Sequence, residues 1–313
     1  MPGVAVAGGL GQLGQAIVDA LLSNGNYNVL VLTRKVPTVT ESEINASVIA
    51  VDYNNIDALA SILETHQVQI VISAIDTLNG SAPELSLIQA AEKSATTKRY
   101  VSSFWAHDYP DEFKEYFFAR PKYDALKVLD ATSLEYTAFR IGWFIDYYVA
   151  PYVKSHIRPE GLFVDMENNA AAIPGSGTAP AVFTHSLDVA RFVVAYLQLP
   201  KWEKSAYILG DRLTWNEFVQ IAEDVKGVKF RVTYDSESSL EAGEITELPA
   251  HRRLYEHVPK ERIQTILSIY GRDFAMGGFN FDPLLLVNDL FPSIKAKTVR
   301  ELVEEAWGKK PAW

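Results

Sequence analysis

The sequence predicts an α/β protein, a doubly wound parallel sheet joined to a smaller, mostly helical domain. Three observations carry this. In the first half, apolar runs of strand length alternate with segments whose apolar residues recur at helical spacing. Those runs are mostly apolar and do not alternate with polar residues, as strands are when a parallel sheet is covered on both faces by helices. After about Pro151 the rhythm breaks, and glycines and prolines cluster at Pro159–Gly161 and in Pro174-Gly175-Ser176-Gly177. A chain of 313 residues is long enough for two domains.

Taken in order, Val4–Ala7 reads as a strand and Gln12–Ser23 as a helix. Asn28–Thr33 and Ser47–Val51 are the second and third strands, followed by a helix over Asp57–Glu64. Gln69–Ala74 is a strand, Pro83–Ser94 a helix, Lys98–Ser102 a strand, Lys122–Thr132 a long helix and Tyr136–Arg140 a strand. Later, Ser186–Leu197 is helical and Ala206–Leu209 strand-like. Thr214 with Glu217 three residues on has the spacing of a capping box. The remainder reads as helix with one strand-like piece, Lys229–Tyr234. The expected division is a dinucleotide-binding domain over 1–150 with a return segment at about 184–210, and a substrate domain over 151–183 and 211–313.

The composition excludes several function classes. A net charge of −10 argues against a nucleic-acid partner, because phosphate binding needs a basic surface. With no cysteine, disulfides, thiolate nucleophiles and cysteine-bound zinc are ruled out. The histidines, at 66, 107, 156, 185, 251 and 257, show no ligand spacing, so no metal is expected. No signal peptide and no apolar stretch of about 18 residues is present, so the expectation is a cytoplasmic protein without a membrane partner. The oligomeric state is left open.

Between the first strand and the first helix stands Gly8-Gly9-Leu10-Gly11-Gln12-Leu13-Gly14. Gly8 and Gly11 allow a tight turn and close approach of the backbone to a pyrophosphate, and Gly14 lets helix and strand pack closely. The helix N-terminus favours the phosphate charge. This is the fingerprint of a dinucleotide-binding Rossmann domain. The second strand ends in Thr33-Arg34-Lys35, two cations where an NAD site carries an acid on the ribose. Arginine's fork matches a 2′-phosphate, so the expected cofactor is NADPH. Asp52-Tyr53, after the third strand, falls beside the adenine; a plain helix cap accounts for the same pair equally well.

Tyr123-x-x-x-Lys127 has the spacing of the tyrosine–lysine pair of short-chain dehydrogenases, in which the cation lowers the tyrosine pKa. The register points elsewhere. The stretch Lys122–Phe144 resembles the NmrA-like and isoflavone-reductase-like branch of the atypical short-chain dehydrogenases/reductases. In that branch a lysine opens the long helix and a Tyr-Thr strand follows it; here Lys122 and Tyr136 stand fourteen residues apart. Phe118, four before Lys122, takes the place of the usual tyrosine. The segments at 73–80, 98–108, 182–197 and 213–218 resemble the same family, so the likeness covers nearly the whole chain. Ser102-Ser103-Phe104-Trp105-Ala106 departs from the family's Pro-Ser-Glu-Phe-Gly.

The resemblance implies that Lys122 contacts the nicotinamide ribose and helps to transfer a proton. It implies that Ser103 and Phe104, with Ala74 and Ile75 of the fourth-strand loop, line the cofactor. An excess of aromatic residues over 104–123 and 143–148 suggests an aromatic or polyketide-like small-molecule substrate, although some of these rings must be core. His107 and Asp108 are a further candidate acid. The expected activity is an NADPH-dependent reduction of a carbonyl, enone or quinone-like metabolite. The alternatives are a dinucleotide-sensing regulator of the NmrA type that binds a protein partner, and a non-redox isomerase or cyclase on the same scaffold.

Overall fold

The computed structural model describes residues 1–35, 46–283 and 285–308. They form two compact units. Unit 1 comprises Met1–Arg140, Val189–Ile208 and Leu285–Ile294; unit 2 comprises Ile141–Asp188, Leu209–Leu284 and Lys295–Trp313. The chain leaves unit 1 after Arg140, earlier than the expected 150. A third pass, Leu285–Ile294, carries no signal in the sequence pattern.

Unit 1 begins with β1 (Gly3–Ala7), α1 (Gln12–Asn24), β2 (Asn28–Thr33), β3 (Ser47–Ala50), α2 (Ile56–Thr65) and β4 (Val68–Ser73). It continues with α3 (Ala82–Lys93), β5 (Arg99–Ala106), α4 (Arg120–Leu129) and β6 (Glu135–Arg140). The chain then runs through β7 (Trp143–Phe144), α5 (Asp146–Val149), β8 (Val164–Asp165), β9 (Ala170–Pro174) and β10 (Pro180–Thr184) of unit 2. Helix α6 (Ser186–Tyr196) leads back to β11 (Ser205–Tyr207), and β12 (Asp211–Thr214), α7 (Trp215–Lys226) and β13 (Arg231–Asp235) follow.

Seven strands of unit 1 form one sheet in the order β11-β6-β5-β4-β1-β2-β3. Every neighbouring pair is parallel. Each residue of β1 is buried, as expected of a strand in the middle of a sheet with helices on both faces. Ala5 and Ala7 turn to the face covered by Leu59 and Leu63 of α2, Leu87 and Ala91 of α3, and Ala125 and Leu129 of α4. The opposite face carries α1, where Val18 approaches Val31 of β2 over Gly9. The chain moves outward from β1 to β3 and then returns to β4, so the order reverses between β1 and β4. Open α/β sheets bind ligands at the carboxyl ends of the strands flanking such a point.

Among the described residues unit 2 holds more helix than strand, as expected, but its strands are more numerous than the sequence suggests. It contains two three-stranded sheets, β12-β10-β7 and β13-β9-β8. Ala170–Pro174 reads AAAIP, short and poor in β-branched residues, so nothing local marks it as a strand. Burial supplies the reason that it pairs, since all five residues are enclosed. The core of this unit is aromatic: Trp143, Tyr148, Phe163, Phe183, Trp215, Phe218, Phe274 and Phe279 pack together. The expected capping box is present. Thr214 Oγ1 accepts the Glu217 N–H at 3.1 Å, and Glu217 Oε2 accepts the Thr214 N–H at 2.7 Å.

The contact between α1 and β1 tolerates no side chain at Gly14. A Cβ there would lie 2.1 Å from the Gly8 oxygen and 2.9 Å from the Gly9 Cα, both backbone atoms. Gly14→Ala must push the helix off the strand, and such overpacking costs about 1–3 kcal/mol. Urea denaturation of parent and variant measures this; equal stabilities would show that the helix moves freely.

Candidate active site

The site is assembled at the carboxyl ends of β1, β2, β4 and β5 in unit 1. After β1 the backbone turns at Gly8, whose φ of +75° favours glycine. The Gly8 N–H donates to the Leu32 carbonyl at 3.0 Å, and the Gly11 N–H donates to the Gly8 carbonyl at 2.8 Å. A Cβ on Gly8 would strike the Ala74 carbonyl at 2.5 Å, so the end of β4 lies directly against the loop. Ala74 in turn donates its N–H to the Ala7 carbonyl at 2.8 Å.

Gly11 is the N-cap of α1 and no side chain caps the helix. The N–H groups of Gln12, Leu13 and Gly14 therefore have no intrahelical acceptor. Gly11 and Gln12 are exposed, Leu10 and Leu13 partly so, and the first turn holds no acidic residue. These donors, with the positive end of the helix behind them, fit a pyrophosphate.

At the end of β2, Arg34 and Lys35 are exposed and form no ion pair among the described residues. Tyr53 is buried; burial pushes its hydroxyl up to about 12, against the opposing pull of the Arg34 guanidinium. Asp52 is engaged locally. Its carboxylate accepts the Asn54 N–H at 2.9 Å and Nδ2 at 3.0 Å in the turn that precedes α2.

The loop after β4 is tied to β5, because Ser103 Oγ donates to the Ile75 carbonyl at 2.8 Å. Phe104 is fully buried, with the Arg140 guanidinium 3.9 Å above its ring centroid. Lys122, in the first turn of α4, is partly buried, and its Nζ donates to the Ser103 carbonyl at 3.3 Å. Burial pushes its ammonium down to about 8, while the charges of Glu84 and Asp76 act in the opposite direction. Position 122 is thus no ordinary surface lysine.

Glu84 escapes sequence reasoning. It lies in the first turn of α3, three residues after Ser81, which is the pattern of a capping box. Ser81 makes no side-chain cap, and Glu84 turns inward and is 1% exposed. Its Oε1 accepts the Ser103 N–H at 2.8 Å and Ser102 Oγ at 3.2 Å. A cap that fails to cap leaves no trace in the sequence.

Tyr123 and Lys127 do not form an acid–base pair. The Tyr123 hydroxyl accepts the Tyr109 N–H at 3.0 Å, and burial raises its pKa. Lys127 is exposed, and the cation over the Tyr123 ring is Lys114, at 5.2 Å. His107 is buried with its ring against Tyr109. Asp108 is bound by Arg140 Nε at 2.8 Å and the Tyr207 hydroxyl at 2.7 Å. Phe118 is buried against Tyr109 and Tyr116. Among the described residues no cluster of His, Asp and Glu is arranged to hold a metal ion, and no helix is long and apolar enough to cross a membrane.

A glycine loop at the switch point of a parallel sheet, beside a lysine held at its edge, defines a dinucleotide-dependent enzyme. Comparison with known proteins agrees. The NAD(P)H-binding family model matches residues 8–156. Oxidoreductase BOA1 of Botryotinia fuckeliana is 37% identical over 300 residues, 93% of this chain and 95% of that protein. Oxidoreductase swnN of Metarhizium robertsii is 27% identical, over 98% of each chain. Leucoanthocyanidin reductase from Vitis vinifera, solved as a ternary complex, shares the fold with a TM-score of 0.77 at 20% identity, over 97% of this chain and 98% of its own. The chain belongs to the NmrA-like, isoflavone-reductase-like family of atypical short-chain dehydrogenases/reductases, and it is an NAD(P)H-dependent oxidoreductase.

Lys127→Ala should leave turnover nearly intact, and Tyr123→Phe should lower it at most moderately. Losing a working acid or base costs roughly 10²–10⁴ in rate. Steady-state kinetics of both variants checks this, and a hundredfold loss in each would restore the Tyr–Lys pair to the mechanism.

Proposed function

We propose that this protein is an NADPH-dependent reductase of an aromatic, quinone-like or enone or carbonyl-containing small metabolite. The observation that carries the reading is the half-buried Lys122 ammonium, held on the Ser103 carbonyl at the edge where the nicotinamide of a Rossmann domain lies. Bound NADPH supplies a hydride. The α1 N-terminus holds the pyrophosphate, and Arg34 with Lys35 holds the 2′-phosphate. Negative charge that develops on the substrate oxygen falls near Lys122, which stabilises it and gives up a proton there. A dinucleotide-sensing regulator needs no such group. The aromatic preference rests on the strip leading into α4, in which Phe117 is exposed and Tyr116 and Tyr123 are partly so.

The cofactor preference follows from charge. Arg34→Ala should weaken NADPH binding by roughly 1.5–3 kcal/mol, the scale of a charge-assisted hydrogen bond, and leave NADH binding nearly unchanged. Titration calorimetry with both cofactors decides it, and equal affinities in the parent would sink the preference.

Lys122→Ala should lower kcat by roughly 10²–10³, comparable to the loss of one electrostatic donor. NADPH affinity should fall far less. Because the protonated amine is the active form and its pKa stands at about 8, parent kcat should fall as pH rises through that value. The variant should lose this limb. A screen of NADPH consumption against quinones, enones and aromatic carbonyls, followed by pH profiles on the best substrate, tests the set. Parent turnover that survives Lys122→Ala removes the residue from the mechanism.

A further inference from the structure

Glu84 is a buried carboxyl group that the reading above leaves without a role. Its Oε1 accepts two hydrogen bonds from β5, the Ser103 N–H and the Ser102 hydroxyl. Its Oε2 is buried without a hydrogen-bond partner. Ser73 Oγ of β4 and the Tyr100 hydroxyl of β5 are buried beside it, and the three groups face one another without a hydrogen bond of regular geometry. A half-satisfied buried carboxyl is costly, and removing its two donors from water adds to that cost. The apolar core gains nothing from it. The charge it meets is Lys122, whose Nζ sits on the carbonyl of the same residue, Ser103. Glu84 therefore grips the N–H of Ser103 while Lys122 grips its C=O.

We propose that Glu84 is a positioning residue of this reductase: it orders the Ser102-Ser103 segment that seats Lys122, and it supplies the buried negative charge that keeps that amine protonated. The proposal rests on the assignment of Lys122 made above. The groups that face the pair are few. Glu84 meets Ser73 of β4, Tyr100, Ser102 and Ser103 of β5, Lys122 of α4 and, more remotely, Tyr53 after β3. Lys122 meets Glu84 and Asp76 of the loop after β4. Asp76 is exposed and donates its effect through solvent, whereas Glu84 acts from inside, where the same charge counts for more. Burial pushes the carboxyl up and the amine down, and the attraction between the two charges opposes both shifts.

Glu84→Gln tests this, because the amide oxygen still accepts the Ser103 N–H and the Ser102 hydroxyl while the charge is gone. The readout is the pH dependence of acetic anhydride labelling at Lys122, followed by peptide mass analysis on the full chain without cofactor. Labelling of Lys122 should reach its half-point at least about one pH unit lower than in the parent, a tenfold loss of proton affinity. The alkaline limb of kcat should move with it, while NADPH affinity stays near the parent value. A half-point that does not move overturns the proposal. Should Glu84→Gln not fold, Lys122→Met gives the reciprocal measurement: without its cation, Glu84 should take up a proton at neutral pH and add a protonated-carboxyl band to the infrared spectrum. No such band overturns the proposal equally. Labelling and infrared bands report on the pair without turnover, so failure of the Lys122 mechanism shows separately, as unchanged kcat in Lys122→Ala.

Discussion

The approach of Gly8 to the Ala74 carbonyl is the constraint on which the rest of unit 1 depends. β1 and β4 are neighbours in the sheet, yet the chain leaves them for opposite sides, β1 toward α1 and β4 toward α3. Two backbones must then part within a space that a single Cβ would fill, at 2.5 Å from the Ala74 oxygen. Only a residue without a side chain and at ease with positive φ satisfies both demands. Once Gly8 is seated, its carbonyl receives the Gly11 N–H, and that turn aims α1 so that its first N–H groups point out of the sheet edge. The exposed, uncapped start of α1 is a consequence of how the sheet divides.

A second layer of organisation lies at β5. Main-chain groups there are satisfied by side chains from two neighbouring elements, and a side chain of β5 itself reaches the main chain of a third. Ser103 Oγ is tied to the Ile75 carbonyl, Glu84 takes the Ser103 N–H, and Lys122 takes the Ser103 carbonyl. The pairing of β5 with β6 shifts register between Ser102 and Ala106, so this stretch does not follow the regular ladder and needs other partners. Polar side chains placed at such an irregularity fix its shape at the cost of burying charge. A single residue, Ser103, becomes the junction between the fourth-strand loop, α3 and α4.

Much of this was legible in the sequence and some was not, for identifiable reasons. Strands buried on both faces announce themselves as apolar runs, and the three glycines at fixed spacing mark the one place where backbone atoms crowd. Thr214 and Glu217 read correctly because a capping box is a local device. Glu84 has the same local pattern with the opposite outcome, since Ser81 leaves the cap unmade and tertiary packing draws the carboxyl inward. The strands of unit 2 other than β13 were hidden for a related reason. Ala170–Pro174 has little intrinsic preference for extended structure and is held there by β8 and β13 on its two sides. Local signals report local chemistry; where burial decides, the sequence is silent.

The choice of lysine at 122 follows from the same balance of burial and charge. An arginine there would keep its proton under any condition the fold survives, and it could stabilise an anion but never relinquish a proton. A lysine in water holds its proton too firmly at neutral pH for efficient transfer. Burial weakens that hold and brings the amine to about 8, close to where proton donation is best matched to physiological pH. Burial alone would carry it further, toward an uncharged amine that attracts no anion. The carboxylate of Glu84 and the more distant Asp76 oppose that drift. The α4 N-terminus, whose dipole disfavours a cation, adds to burial on the other side. In the proposed mechanism the Lys122 amine is therefore poised between opposing influences, burial on one side and the Glu84 and Asp76 carboxyl groups on the other.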